Sequence, residues 1–213
     1  MDSLTLDDIK AIVSRIADIM TEKKDELIRL DGAMGDGDLG LTMEKAFTTA
    51  RDESASMTET DAGKLLMKIG MSIARAAPST MGTLAATGFM SGGKAVGGVT
   101  ALGVKEISAF FEAFVAGIMQ RGKAKPGEKT IIDVLHPAAE AMARVAASGG
   151  SLKDAFIACR DAAAEGLVRT REMIAQHGRV AYYQEQAKGK EDPGAVAGTY
   201  ILQGFWGYVL DKA

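Results

Sequence analysis

Apolar residues recur three and four apart along most of the chain, the spacing of one helical face. Ile9, Ile12, Val13, Ile16, Ile19 and Met20 predict a helix from about Leu6 to Lys24. Thr5, with Asp8 three later, is a capping-box variant at its start. Leu27, Ile28 and Leu30 prolong or restart that helix before a break from Asp31 to Gly40. Helix resumes near Leu41, through Met43, Ala46, Phe47 and Ala50, and stops near Ser56. A third stretch from about Thr60 carries Leu65, Leu66, Ile69 and Ile73 and ends before Pro78. A short alanine- and glycine-rich helix follows from about Met81 to Lys94, then a loop with Gly97, Gly98 and Gly103. Ile107, Phe110, Phe111, Phe114 and Ile118 form an apolar core stripe. Thr130 with Asp133 opens another helix that contains Pro137, and Ser151 with Asp154 opens a long one. His177 to Pro193 is polar and is expected to be loop, and a last helix carries Val196, Tyr200, Ile201, Trp206 and Val209.

That makes about eight helices with short connections, no linker between them and no evident repeat. The period-two alternation of strands is hard to find. The expected fold is all-α, a bundle of antiparallel neighbours in one domain over residues 1–213. Composition agrees: 35 alanines favour helix, and 47% apolar residues suffice for a core. A net charge of −3 argues against nucleic acid or an anionic membrane surface as the main partner. The single Cys159 excludes an internal disulfide and a multi-cysteine zinc site, and is expected to be buried. The acidic start lacks a signal-type apolar core and no window suits a membrane span, so the expected location is the cytoplasm.

The sharpest chemical feature is Asp31-x4-Asp36-x-Asp38, interleaved with Gly32, Gly35, Gly37 and Gly40. Carboxylates this close repel unless a cation lies among them. Glycines let the backbone wrap tightly enough to aim them at one point, and oxygen-only ligands suit Mg²⁺. The alternative is a solvated turn in which aspartates cap helices. A calcium loop of helix-loop-helix type would need an oxygen ligand where Gly40 stands. Gly88 to Ala95 is a near miss to a P-loop: alanine follows Lys94 and no strand precedes it, so its glycines are expected to end a helix. Pro78-Ser79-Thr80-Met81, between two helices, suits either a phosphate or simple N-capping. Arg121 to Thr130 is a basic loop that either flanks a nucleotide or is solvated surface. His136 and His177 lack a serine or cysteine partner at motif spacing and are expected to be structural or exposed.

In order, Leu30-Asp31…Gly35-Asp36-Gly37-Asp38…Gly40, the Arg121–Thr130 string, Gly178-Arg179 and Asp192-Pro193-Gly194-Ala195 resemble the nucleotide-binding L subunit of dihydroxyacetone kinase. The same module forms the C-terminal domain of single-chain, ATP-dependent dihydroxyacetone kinases. The likeness covers nearly the whole chain. It implies a closed barrel of eight amphipathic antiparallel helices with ADP or ATP at one end. By resemblance, Asp31, Asp36 and Asp38 bind two Mg²⁺ ions that bridge to the phosphates. Leu39, Gly40, Leu41 and Thr42 would meet the phosphates, and Pro78 and Ser79 would line the same pocket. Gly122, Ile131, Arg179, Asp192, Pro193 and Gly194 would surround base and ribose.

The resemblance further implies a phosphoryl-donating kinase subunit for dihydroxyacetone or another small ketose such as a tetrulose. A separate K-type subunit would hold the ketose. The protein is expected to be a homodimer. The donor would be ATP, or bound ADP recharged by a phosphocarrier of the sugar phosphotransferase system. The alternative function is a nucleotide-binding regulatory module without kinase activity. The family's usual G-G-A-S-G-P loop reads Ala76-Ala77-Pro78-Ser79-Thr80-Met81 here, keeping only the serine, and Leu39 is apolar where relatives often carry His or Thr.

Overall fold

Alanine-rich amphipathic segments wind into nine α-helices in the computed structural model, which describes residues 1–212. They are α1 (Leu6–Glu22), α2 (Lys24–Gly32), α3 (Leu39–Ala55), α4 (Ala62–Ala76), α5 (Thr80–Ala95), α6 (Val104–Gly122), α7 (Ile132–Ala147), α8 (Leu152–Arg169) and α9 (Pro193–Lys212). Among the described residues no helix is long and apolar enough to cross a membrane. Two of the predicted helix starts carry full capping boxes, Thr5 with Asp8 on α1 and Ser151 with Asp154 on α8, whereas at α7 the cap position falls on Ile131 and Asp133 accepts from Thr130 N. Asp61 caps α4 through the Lys64 amide at 2.9 Å and also accepts from Gly98 at 2.8 Å.

Neighbouring helices build a ring. α1 packs on α3, α3 on α4, and each later helix on the next, until α9 closes back on α1. The eight-membered barrel is thus an all-α closed bundle as expected, with α2 laid between α3 and α9 as an extra element. Its interior is a cluster of buried phenylalanines. Phe47, Phe89, Phe110, Phe111, Phe114, Phe156 and Phe205 meet edge-on or stacked at centroid separations of 5.0–6.4 Å. Helices alternate in direction, so every second connection lies at the same pole. The α2–α3, α4–α5, α6–α7 and α8–α9 connections meet at one end, around a shared cavity.

Four local expectations are corrected. The first helix stops at Glu22 because Lys23 turns (φ −92°, ψ 4°), which lets α2 cross between α3 and α9. α3 begins at Leu39, two residues before the predicted start. Gly92 and Gly93 lie within α5 and do not end it: a Cβ on Gly92 would come 2.5 Å from the Phe110 ring, and one on Gly93 2.7 Å from the Gly63 carbonyl. They are sites of close approach, while Lys94 does sit in the last turn. The 177–193 stretch is not all loop. It holds 3-10 turns over Arg179–Ala187, broken at Gln184 (φ 46°). Val180 and Ala187 there join Ala175 and Met34 in a small separate apolar cluster. Two-residue strands β1 (Leu4–Thr5) and β2 (Ala101–Leu102) also pair antiparallel, too short to leave a period in the sequence.

Away from the cavity, Asp8 ties the chain ends together. Its carboxylate accepts from Thr5 N at 2.9 Å and Thr5 Oγ1 at 2.6 Å, from the Tyr208 hydroxyl, and from Lys212 Nζ at 3.2 Å. Burial alone would raise its pKa, but the bonds from Thr5, Tyr208 and Lys212 outweigh that and hold it at about 2, against an ordinary 3.8. A depressed carboxylate stabilises the fold above the unfolded value, and the gain is lost as pH falls through the folded value. Asp8→Asn is therefore expected to cost about 2 kcal/mol at pH 7 and to flatten the stability change between pH 4 and 2. Urea unfolding at both pH values measures this; equal acid sensitivity in the variant would assign that loss to other carboxylates.

Candidate functional site

The acidic loop does what its spacing suggested. Asp31 stands in the last turn of α2, Asp36 in the connection and Asp38 at the cap position of α3, and their carboxylate oxygens lie within 4.8 Å of one another. The glycines make this possible. A Cβ on Gly35 would fall 2.2 Å from Asp31 Oδ1, and Gly37 takes the left-handed backbone (φ 74°). Leu39 N donates to Asp31 Oδ2 at 3.3 Å, and buried Met34 anchors the loop in the small apolar cluster. Partial desolvation, then the like charges of Asp36 and Asp31, raise the Asp38 carboxyl above its ordinary range, and Arg179 opposes them. The Arg179 guanidinium lies 2.9 Å from Asp36 Oδ2. Three carboxylates converging on one point, Asp31 half-buried and Asp36 and Asp38 exposed, with an oxygen-only donor set, fit a hard divalent cation.

A cavity of about 490 Å³ opens beside this loop. One wall is Asp31, Gly35, Asp36, Asp38, Leu39 and Thr42, and the facing wall is Pro78, Ser79, Thr80, Met81 and Leu84. Lys129, Thr130 and Ile131 supply the third, and residues 177–180 with Asp192, Pro193 and Gly194 the fourth. Four helices, α3, α5, α7 and α9, begin at this pole. Their N-termini carry partial positive charge and free amides. Ser79 meets the capping expectation, accepting from the Gly82 amide at 3.1 Å, while it also faces the cavity.

Of the residues singled out in the sequence, Asp31, Asp36, Asp38, Leu39, Thr42, Pro78, Ser79, Ile131, Arg179, Asp192, Pro193 and Gly194 line this one cavity. Three others do not. Gly40 is buried against α2, where a Cβ would lie 2.2 Å from the Lys24 carbonyl. Leu41 is 55% exposed on the outer side of α3. Gly122 ends α6 behind Leu84, 3.2 Å from its methyl group measured from an added Cβ.

The wall also holds Thr80, Met81, Leu84, Lys129, Thr130, Gly178 and Val180, none of them named individually for the site from the sequence. All but Leu84 and Val180 lie inside strings already singled out, and those two carry no local signal. His177, expected to be structural or exposed, is partly exposed on the wall and pairs with Glu128 Oε2 at 2.7 Å. That bond, with the Lys125 amide, holds the Glu128 carboxyl below its usual range. Asp192 caps α9 through the Ala195 amide at 2.8 Å, and burial pushes its carboxyl up to about 7 against the pull of that amide and of Lys129. Cys159, as expected, is buried, and burial pushes its thiol far up.

A family model described as DAK2 domain matches residues 33–207. The chain is 29% identical over 201 residues to the ADP-binding subunit DhaL of the PEP-dependent dihydroxyacetone kinase of Escherichia coli, covering 94% of this chain and 96% of that subunit. It is 29% identical to an L-erythrulose kinase of Pectobacterium atrosepticum, covering 91% of this chain but only 33% of the kinase. The fold matches the crystal structure of the dihydroxyacetone kinase from C. freundii in complex with AMP-PNP and Mg²⁺. That match has a TM-score of 0.69 and 24% identity, over 93% of this chain and 33% of the other.

Proposed function

The chain belongs to the DAK2 domain family, and from that premise we propose that it is the nucleotide- and Mg²⁺-binding, phosphoryl-donating subunit of a kinase for dihydroxyacetone or a related small ketose. The observation that carries the proposal is the convergence of Asp31, Asp36 and Asp38 within 4.8 Å at the pole where four helices begin. A polyphosphate needs both. Amides and helix N-termini bind its oxygens, and carboxylates hold the cations that accompany it. Asp31, Asp36 and Asp38 would hold two Mg²⁺ ions, which when bound neutralise phosphate charge and orient the transferred group.

The protein's own part is positioning. Leu39 and Thr42 at the start of α3, with Ser79 and Thr80 at the start of α5, line the cavity, and their amides and hydroxyls would serve the phosphates. Met81, Leu84, Ile131, Val180 and Pro193 offer apolar surface for a base. Arg179, whose guanidinium pairs with Asp36 at 2.9 Å, would stand beside the metal-held phosphates rather than at the base and ribose expected from the sequence. No nucleophile is required of this chain, because the acceptor hydroxyl belongs to the ketose. A separate K-type subunit supplies that ketose and docks at the open mouth. The donor is ATP, or tightly held ADP recharged by a phosphocarrier, and the subunit is a homodimer.

Calorimetric titration of ADP and ATP into the purified protein, with Mg²⁺ and with chelator, tests the reading. Affinity at least about a hundredfold higher with Mg²⁺ is expected, from the charge the cations neutralise. ADP that survives dialysis marks the phosphocarrier route, and readily exchanged ATP the other. Equal binding in chelator, or none in either buffer, would reject the metal-nucleotide site. Failure to phosphorylate any three- or four-carbon ketose with a K-type partner would reject the kinase role.

A further inference from the structure

Lys129 is the one lysine among the fully buried side chains of the described residues, 1% exposed, and it sits on the cavity wall. Its backbone is left-handed (φ 58°), a conformation strained for any residue with a Cβ. Its ammonium donates to the carbonyls of Thr170 at 2.6 Å, Lys190 at 2.7 Å and Ala187 at 3.0 Å. All three protons are used. The acceptors come from both feet of the segment 170–192: Thr170 caps the end of α8, and Ala187 and Lys190 lie just before Asp192. On the other side, Asp133 accepts from the Gly127 and Thr130 amides and so fixes the lysine's loop to the first turn of α7. The feet are also joined by Gly189 N to Arg171 O at 2.8 Å and by an exposed Arg171–Glu191 pair, a kind of pair worth little.

We infer that Lys129 is a positioning residue for the nucleotide. Its ammonium staples both feet of the 170–192 segment to the α6–α7 connection, and thereby holds Arg179 and the Asp192-Pro193-Gly194 turn on the cavity wall. The nucleotide half of this inference rests on the function proposed above; the staple itself does not. The chemistry selects lysine: three carbonyls converge on one point, which a compact ammonium serves and a planar guanidinium does not. A side chain without donors takes a charged donor from all three carbonyls; Thr170 O keeps Met173 N at 3.2 Å, while Ala187 O and Lys190 O lose a bond in a buried and a half-buried setting.

Hydrogen exchange on the whole protein, comparing wild type with Lys129→Met, tests this together with ADP titration in Mg²⁺. Amides 171–191 of the variant are expected to exchange at least about tenfold faster while those of α1 to α7 keep wild-type protection, and ADP affinity to fall at least about tenfold. Saturating ADP should restore the lost protection, because coupling between binding and segment order is reciprocal; a merely structural residue would not give that recovery. If Lys129→Met does not fold, Lys129→Arg keeps the charge without the three-way geometry and should show the same localised loss, smaller in size. Unchanged exchange of 171–191 in a folded variant, or acceleration spread evenly over the barrel, overturns the staple. Wild type that binds no nucleotide overturns the proposed function and the positioning role with it, even if the segment loosens.

Discussion

Asp36→Ala is expected to remove Mg²⁺-dependent ADP binding altogether within the range of calorimetry. Loss of residues that merely support a metal ligand costs about 10–100-fold in affinity, and a carboxylate within 4.8 Å of two others stands one step closer. The variant should fold. Asp36 is exposed and lies in a connection, and its ion pair with Arg179 is half in solvent, so little stability rests on it. Equal thermal midpoints for variant and wild type, beside lost binding, would assign the effect to the site. An ADP affinity within threefold of wild type in Mg²⁺ would mean that the acidic loop is a solvated turn.

Phe89→Ala should have the largest effect on stability, about 3–5 kcal/mol. Phe89 is fully buried and meets Phe47, Phe110, Phe114 and Phe205 at 5.3–6.4 Å. These rings come from α3, α5, α6 and α9, so one side chain links helices on opposite sides of the ring. The cavity left behind is lined by rigid rings that collapse poorly. A chain of this size should lose roughly 10 °C in Tm. Urea unfolding measures the energy directly, and a loss below about 1 kcal/mol would show that the barrel interior repacks freely.

Much of both fold and site could be read in the residues. The three-and-four spacing of Ile9 to Met20 or Ile107 to Ile118 marks a buried helix face wherever the partner lies, and those residues are buried as read. The capping pairs Thr5–Asp8 and Ser151–Asp154 act within one turn, so they too are legible. The Asp31 to Gly40 string was legible for a different reason, since carboxylates separated by a few glycine-rich residues meet whatever surrounds them. Where the reading failed, distant partners decided. Gly92 and Gly93 look like helix terminators until the Phe110 ring and α4 press against them. Residues 177–193 look like loop because their few apolar side chains pack on Met34, far away in the chain. Gly40 and Leu41 share a string with Leu39 and Thr42, but on a helix adjacent residues face different ways, toward α2 and solvent in turn.

The helical class, most helix spans and the acidic loop were legible in the chain alone, because each depends on residues within a turn or two of one another. The closure of α9 on α1, the cavity that four helix N-termini share with that loop, and the burial of Lys129 among three carbonyls all arise from contacts between distant segments. The carbonyls that satisfy its ammonium lie 41, 58 and 61 residues away and meet it only once the ring has formed.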